Sequence, residues 1–376
     1  MKTMICPQGN FKLDRYPSQK NQSLQAWDSA DLYLLQYIAE NFQFDNQPSL
    51  LILNDSFGAI SLALSGHAPF IQSDSWLSQQ GIQQNFIKND ISTEQLDIYN
   101  SLDTPDKSLD IVLIKVPRSL SLLEDQLFRI RPLLNRKTTI IASGMVKNIH
   151  TSTIQLFEKI IGPTHTTLAQ KKSRLIISEY DPDILPGDNP YPTQYKLDGS
   201  DILLTNHANV FSREKLDIGS RFLLEHMPET SGKLKIIDLG CGNGVIGIAA
   251  AKSNPDAQLT FIDESWMAIE SARINFNSAF QERKATFIFG NSLENITENS
   301  IDLILINPPF HQHNTMGDSV AWQMLRESKK VLKQGGEIRI IGNRHLNHHL
   351  KLKQLFGNYI NIASNKKFAI IKAVKR

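Results

Sequence analysis

Short, continuously apolar runs alternate with stretches of helical spacing along this 376-residue chain, and the alternation occurs twice. Leu24, Trp27, Ala30, Leu34, Leu35 and Ile38 recur at helical intervals and predict a helix over 24–41. Ser49-Leu50-Leu51-Ile52-Leu53 follows without a polar break inside it, as expected of a strand covered on both faces of a parallel sheet. Leu109–Pro117 and Thr139–Ala142 predict further strands, and Ile154–Ile161 a helix. The second series comprises strands at Ile236–Leu239, Leu259–Asp263, Thr286–Phe289, Ile301–Ile306 and Ile338–Ile341, with a helix at Leu350–Phe356. Alternating strands and helices predict α/β architecture with mostly parallel sheets.

The two series echo one another. With Gly58 set on Gly244, Asn54 falls on Gly240 and Ser56 on Gly242, and both segments read as strand, turn and helix. Leu109-Asp110-Ile111-Val112-Leu113-Ile114-Lys115-Val116-Pro117 matches Ile301-Asp302-Leu303-Ile304-Leu305-Ile306-Asn307-Pro308-Pro309, with Lys115 where Asn307 stands. Matches in one order at a nearly constant offset predict an internal duplication. Only the second copy keeps the acid and the glycines of the turn. Four prolines and a glycine crowd Asp181–Pro192, a linker composition. The expectation is two tandem Rossmann-like domains, 1–185 and 193–376, the first degenerate and without a cofactor. Within the second, Tyr195–Leu197 and Ile202–Leu204 around Asp198-Gly199 predict a hairpin.

Composition narrows the class. No stretch is long and apolar enough to span a bilayer, and Met1–Pro17 has no apolar export segment. Two cysteines, Cys6 and Cys241, make no disulfide framework, so a cytoplasmic protein is expected. The formal charge of +2 implies no polyanion partner by itself, but its distribution is uneven. From Glu327 to Arg376 there are 12 Lys/Arg against 2 acids, and from Phe128 to Arg174 there are 9 against Glu158 alone. Such segments fit a nucleic-acid footprint or, equally, solvated helix faces. The histidines, including the His311/His313 and His348-His349 pairs, form no tidy ligand set, and no metal is expected.

The candidate chemistry sits in the second series. Asp238-Leu239-Gly240-Cys241-Gly242-Asn243-Gly244 ends a strand, turns tightly and starts a helix. Gly240, Gly242 and Gly244 let backbone approach a ligand, and the helix start favours a carboxylate or phosphate. Asp238 suits a cationic or hydroxyl-bearing group. The spacing is Gly-x-Gly-x-Gly after an acid, which resembles the cofactor loop of class I S-adenosylmethionine (SAM) methyltransferases. Asp263 ends the next strand, where an acid takes ribose hydroxyls, with Glu264 as the alternative. Asn291 can bond an adenine edge or simply occupy a turn. Asn307-Pro308-Pro309-Phe310 emerges from a buried strand about 67 residues after Gly240. The Asn307 side-chain carbonyl and the Pro308 backbone carbonyl can accept the two N–H bonds of an exocyclic amine, keeping electron density on its nitrogen. Prolines fix those acceptors, and Phe310 offers a stacking face. The whole motif resembles amino-methyltransferases that act on adenine, guanine or glutamine amide nitrogen.

Residues 207–222 (HANVFSREKLDIGSRF), 236–247 (IIDLGCGNGVIG), 307–314 (NPPFHQHN) and 342–346 (GNRHL) resemble the bacterial rRNA guanine-N2 methyltransferases. Similarity from end to end, including Leu24–Trp27, Leu113–Pro117 and His150–Thr153, points to the large-subunit members. The resemblance implies two methyltransferase-like domains, the C-terminal one active, with SAM as cofactor and 23S rRNA as partner. The candidate substrate contacts are Phe211, in a polar and aromatic segment that can form one lip of the cleft or be an ordinary connection, Pro309, and Arg344, which with Arg339 is a candidate RNA contact. Read without the resemblance, the residues reach only methylation of an exocyclic or amide nitrogen. A small-subunit rRNA guanine, an adenine, a protein glutamine, or a non-catalytic RNA-binding assembly role stay open on residues alone.

Overall fold

The computed structural model describes residues 2–18, 23–44, 47–94, 96–228, 232–291, 293–308 and 315–376, the side chains of 315–319 excepted. The chain divides into two compact units, Met1–Tyr191 and Pro192–Arg376. In the first, the elements are β1 (Lys2–Cys6), β2 (Gly9–Leu13), α1 (Ser29–Asn41), β3 (Leu50–Leu53), α2 (Ala59–Ala63), β4 (Phe70–Ser73), α3 (Trp76–Lys88), β5 (Asp97–Asn100), β6 (Ile111–Lys115), α4 (Leu120–Ile130), β7 (Thr139–Met145), α5 (Thr151–Ile160), β8 (Thr164–Thr166) and β9 (Ser173–Glu179). In the second they are β10 (Thr193–Lys196), β11 (Leu203–Asn206), α6 (Ile218–Leu224), β12 (Lys235–Leu239), α7 (Val245–Ser253), β13 (Gln258–Asp263), α8 (Trp266–Ala279), β14 (Thr286–Phe289), β15 (Ile301–Ile306), α9 (Thr315–Val331), β16 (Leu332–Asn343), α10 (His348–Phe356), β17 (Ile360–Ser364) and β18 (Phe368–Val374).

Each unit is built on a seven-stranded sheet. The orders are β5-β4-β3-β6-β7-β9-β8 and β14-β13-β12-β15-β16-β18-β17. They match strand for strand: five parallel strands, then one reversed strand (β9 or β18), then a seventh (β8 or β17) that pairs antiparallel to it and so runs with the first five. Why the strands read as unbroken apolar runs is plain from their two faces. Leu50 and Ile52 enter one core and Leu51 and Leu53 another. In the second unit Leu303 and Leu305 face one core, Ile304 and Ile306 the other. Side chains alternate across a strand, so a sheet covered by helices on both sides needs every position apolar.

The α/β expectation holds, and the echo reaches the backbone. Gly58 and Gly244 both have left-handed φ, +83° and +80°, immediately before α2 and α7. Asn54, which stands at the place of Gly240, shares its sign, at +64° against +74°. Asn is among the few residues with a Cβ that tolerate this region. Two details differ from expectation. Helix α1 starts at Ser29 rather than near residue 24, because Asp28 caps it: its carboxylate accepts from Ala30 and Asp31, and Asp31 accepts from the Asp28 backbone at 2.8 Å. The β1–β2 hairpin was not foreseen, although it buries Met4 and Leu13 in the first core.

Candidate functional site

Parallel register lines up the chemistry-bearing residues on one rim of the second sheet. Leu239 pairs with Ile262 on one side and with Ile306 on the other. The next residue of each strand, Gly240, Asp263 and Asn307, therefore sits level with its neighbours, about 4.8 Å apart from strand to strand. Phe289 pairs with Asp263, so Asn291 lies two residues beyond that row, past the end of β14. This rim is the carboxyl edge of the strands, where open α/β sheets bind ligands.

The glycine turn is shaped by two different needs. Gly242 has φ +55°, and a Cβ there would meet nothing within 4 Å among the described residues, so the turn faces open space. Gly244 and Gly247 are packing positions: a Cβ would come within 2.9 Å of Ala272 and 2.2 Å of Phe261. The turn is tethered to its neighbour strand, since Gly240 and Cys241 donate to the Ile262 carbonyl and Gly242 N–H donates to Asp263 Oδ2 at 2.9 Å. Asp263 Oδ1 accepts from Ser265 N–H at 3.0 Å. Asp263 thus spans the turn and the start of α8. Asn291 lies half-buried after β14, where Gly290 N–H donates to the Asp263 carbonyl.

Asp238 is fully buried beneath the turn. Its Oδ2 accepts from Gly247 N–H at 2.8 Å, while Oδ1 is buried with no hydrogen-bond partner among the described residues. Burial pushes its carboxyl up to about 8; the Gly247 bond pulls the other way and the charge of Asp263 adds to the rise. A buried oxygen of this kind lacks a donor or a cation, and open space lies over the adjacent turn. Both properties fit a cofactor that carries an ammonium group and ribose hydroxyls, as SAM does. Cys241 is buried as well, and desolvation raises its thiol well above the ordinary range, so it is an inert packing residue here.

Across the rim, Asn307 is held by a residue the sequence analysis passed over. Its Nδ2 donates to Ser220 Oγ at 2.9 Å, and its Oδ1 is buried without a partner among the described residues. Ser220 occupies the first turn of α6, whose start Asp217 caps by accepting from Ser220 N–H at 2.9 Å. Pro308 is buried behind Asn307. Pro309 and Phe310 lie outside the described residues.

An amide network, also unforeseen, fixes the segment that enters the second unit. Asn243 of the glycine turn donates to Asn206 Oδ1 at 2.8 Å and to the Tyr195 hydroxyl at 3.2 Å. Asn275 on α8 accepts from Thr205 N–H and donates to the Thr205 and Asn243 carbonyls. These bonds tie the β10–β11 hairpin to the turn, and Phe211 follows five residues after Asn206 with 64% of its surface exposed. Arg344 is exposed just past β16, the strand next to β15. Arg339, which counts toward the basic segment from Glu327 to Arg376, is buried and engaged by Glu337 and the His226 carbonyl.

The first unit fills the equivalent places with its own side chains. Asp55 accepts four backbone N–H bonds from Gly58 to Ser61, and the Ser61 hydroxyl, at the start of α2. Lys115, at the position of Asn307, is paired with Asp28 and Asp31.

Residues 1–182 match the family described as RLMG N-terminal domain, and residues 201–372 the family described as Methyltransferase small domain. Ribosomal RNA large subunit methyltransferase G of Pseudoalteromonas translucida is 47% identical over 370 residues, covering 97% of this chain and 96% of that one. Its namesake from Streptomyces avermitilis is 43% identical over 378 residues, covering 99% of both. Among solved structures, a T. thermophilus 16S rRNA N2 G1207 methyltransferase, in complex with AdoMet and guanosine, covers 100% of this chain and 98% of its own, with a TM-score of 0.78 at 18% identity. That likeness extends the fold match across both units.

Proposed function

Because the chain belongs to the ribosomal RNA large subunit methyltransferase G family, and is thereby a SAM-dependent rRNA methyltransferase, we propose that it methylates the exocyclic N2 amine of one guanine in 23S rRNA. Residues 193–376 carry the reaction; residues 1–185 are a degenerate copy that holds RNA or supports the fold. No helix of the described residues is long and apolar enough to cross a membrane, and the proposed place of action is the cytoplasm.

The observation that carries this reading is the state of Asn307: nitrogen engaged by Ser220, oxygen buried and unpartnered at the rim. An acceptor so placed is what a conjugated amine needs, because its lone pair is drawn into the ring until its N–H bonds are polarised. Asn307 Oδ1 and the Pro308 carbonyl take those two N–H bonds, and the amine gives up one proton as its nitrogen is alkylated. No strong base is required, since the nitrogen acidifies as the N–C bond forms. SAM supplies an electrophilic methyl carbon on a sulfonium. Gly240, Gly242 and Gly244 hold it close to backbone, Asp238 meets a cationic or hydroxyl group, and Asp263 and Asn291 serve ribose and adenine. Phe310, Pro309 and Phe211 frame the base, and Arg344 contacts the strand. Positioning of nitrogen and methyl in line contributes about 7–11 kcal/mol in well-oriented systems.

The test is incubation of the protein with labelled SAM and, in parallel, 23S rRNA, 16S rRNA, DNA and ribosomal protein, followed by nucleoside mass spectrometry. N2-methylguanosine in 23S rRNA is expected. Label confined to protein, to DNA or to 16S rRNA rejects the assignment.

A further inference from the structure

We propose that a cleft beside the catalytic rim, lined by Asn343, Arg344, His345, Lys366 and Lys367, is a second nucleotide subsite that holds a residue of the RNA strand next to the target base. The inference rests on the reading of RNA as substrate. The cleft has a volume of about 500 Å3, within the about 300–1,000 Å3 common for small-ligand sites. Its place follows from register. Ile306 pairs with Ile340, so Asn307 is level with Ile341 and Asn343 lies two residues further out on the adjacent strand. One strand spacing and two residues of rise separate the two asparagines by about 8 Å.

Two kinds of group meet in this cleft, and together they select a nucleotide. Asn343 is only 5% exposed, and its Oδ1 is buried without a partner among the described residues. A carbonyl oxygen is satisfied only by a donor, which a sugar hydroxyl or a base N–H offers and a bare phosphodiester does not. Arg344, Lys366 and Lys367 form no ion pair with described residues, whereas neighbouring cations are engaged: Arg339 and Lys372 by Glu337, Lys333 by Asp302. The Lys367 ammonium lies over the Phe368 ring, 5.1 Å from its centre, which neutralises no charge; cations without a carboxylate partner in such a position take phosphate. A backbone bond holds the two arms together, Arg344 N–H donating to the Lys367 carbonyl at 3.0 Å, and the second arm is shaped by Asn365 Oδ1, which accepts from the Lys367 and Phe368 N–H groups.

The experiment measures binding of the full chain to a 23S rRNA transcript and to short single-stranded RNA and DNA of one sequence, with SAM affinity as a control for folding. The double variant Lys366→Gln/Lys367→Gln is expected to weaken transcript binding and to lower the salt slope by about 1–2 while SAM affinity stays unchanged. Asn343→Ala is expected to weaken the short RNA by about fivefold. If the DNA weakens equally, the donor is a base N–H; if only the RNA weakens, it is the 2′-hydroxyl, and either result supports the subsite. An unchanged salt slope in the double variant, or an unchanged RNA affinity in Asn343→Ala, overturns it. Methyl transfer by the unmodified protein separates the two claims: transfer to 23S rRNA with unaltered variants sinks the subsite alone. Absence of transfer to any RNA sinks the proposed reaction, while the binding data still judge the cleft.

Discussion

The Asn307 side-chain nitrogen donates to the Ser220 hydroxyl at 2.9 Å, across 87 residues of sequence, and leaves the amide oxygen buried and unpartnered. Ser220 is itself fixed, because it lies in the first turn of α6 and its N–H is held by the capping Asp217. Ser220→Ala removes the tether and lets the amide turn. The expected result is a fall in kcat of about 10- to 100-fold, with SAM affinity and KM for RNA little changed. Ser220→Thr, which keeps the hydroxyl, should recover most of the rate, and Asn307→Ala should lose about 1,000-fold. Steady-state kinetics with equilibrium SAM binding check all three. A rate in Ser220→Ala equal to wild type would remove Ser220 from the machinery.

What the sequence conveys and what it hides divide along a physical line. The sheets are legible because Leu50–Leu53 and Leu303–Ile306 must be apolar on both faces, and that requirement is written in consecutive residues. Asp238, Gly240, Asp263 and Asn307 are legible as candidates because each ends a strand or occupies the turn after it. Ser220, Asn206, Asn243 and Asn275 are not. Their partners come from distant segments, and a hydroxyl or amide near a helix start reads as an ordinary cap. The two packing glycines mislead in the opposite direction: Gly244 belongs to a ligand-loop pattern, yet its lack of a Cβ is demanded by Ala272. Charge is similarly deceptive, since Arg339 and Lys372 count toward a basic segment while both are engaged by Glu337.

Asp238 makes the protein's stability depend on pH. Its carboxyl ionises near 8 when folded against an ordinary value of 3.8. The folded state therefore binds the proton more tightly than the unfolded state. The associated stability is fully present below pH 3.8 and is lost as pH rises toward 8. Asp238→Asn keeps an acceptor for Gly247 N–H and removes the ionisation. Its Tm without cofactor should match wild type near pH 4 and exceed it progressively up to pH 8. SAM affinity of the wild type should rise over the upper part of the same range, as ionised Asp238 meets the cofactor, and Asp238→Asn should abolish that rise. Thermal melts and calorimetric binding across pH provide both curves; parallel curves for the two proteins would contradict the assignment.

Gly247→Ala places a Cβ 2.2 Å from the Phe261 ring, which already packs against Phe276 and Phe287 at ring-centre distances of 5.4 and 5.1 Å. With its neighbours so arranged the ring has little room to yield. The expected cost is about 1–3 kcal/mol of stability, measured by denaturant unfolding. Gly242→Ala meets no steric obstacle among the described residues. It is strained only by its left-handed φ, and should lower stability less while weakening SAM binding more.

In the first unit, Asp55 performs with its own carboxylate what a ligand would do at a glycine turn: it occupies the N–H groups at the start of α2 that have no partner within the helix. Asp55→Ala strips five hydrogen bonds from that place and is expected to cost about 2–3 kcal/mol. Yet vacating the helix start should not create a cofactor site. Leu53 stands where Leu239 does, but no acid matches Asp238, and Lys115 with Asp28 and Asp31 fills the position of Asn307. Calorimetric titration should therefore give a single SAM per chain for wild type and for Asp55→Ala alike, with equal affinity, while the variant's melt shifts downward. A second SAM in the variant would mean that the first unit lost its cofactor through one side chain alone, and that the missing acid and glycines are not what disabled it.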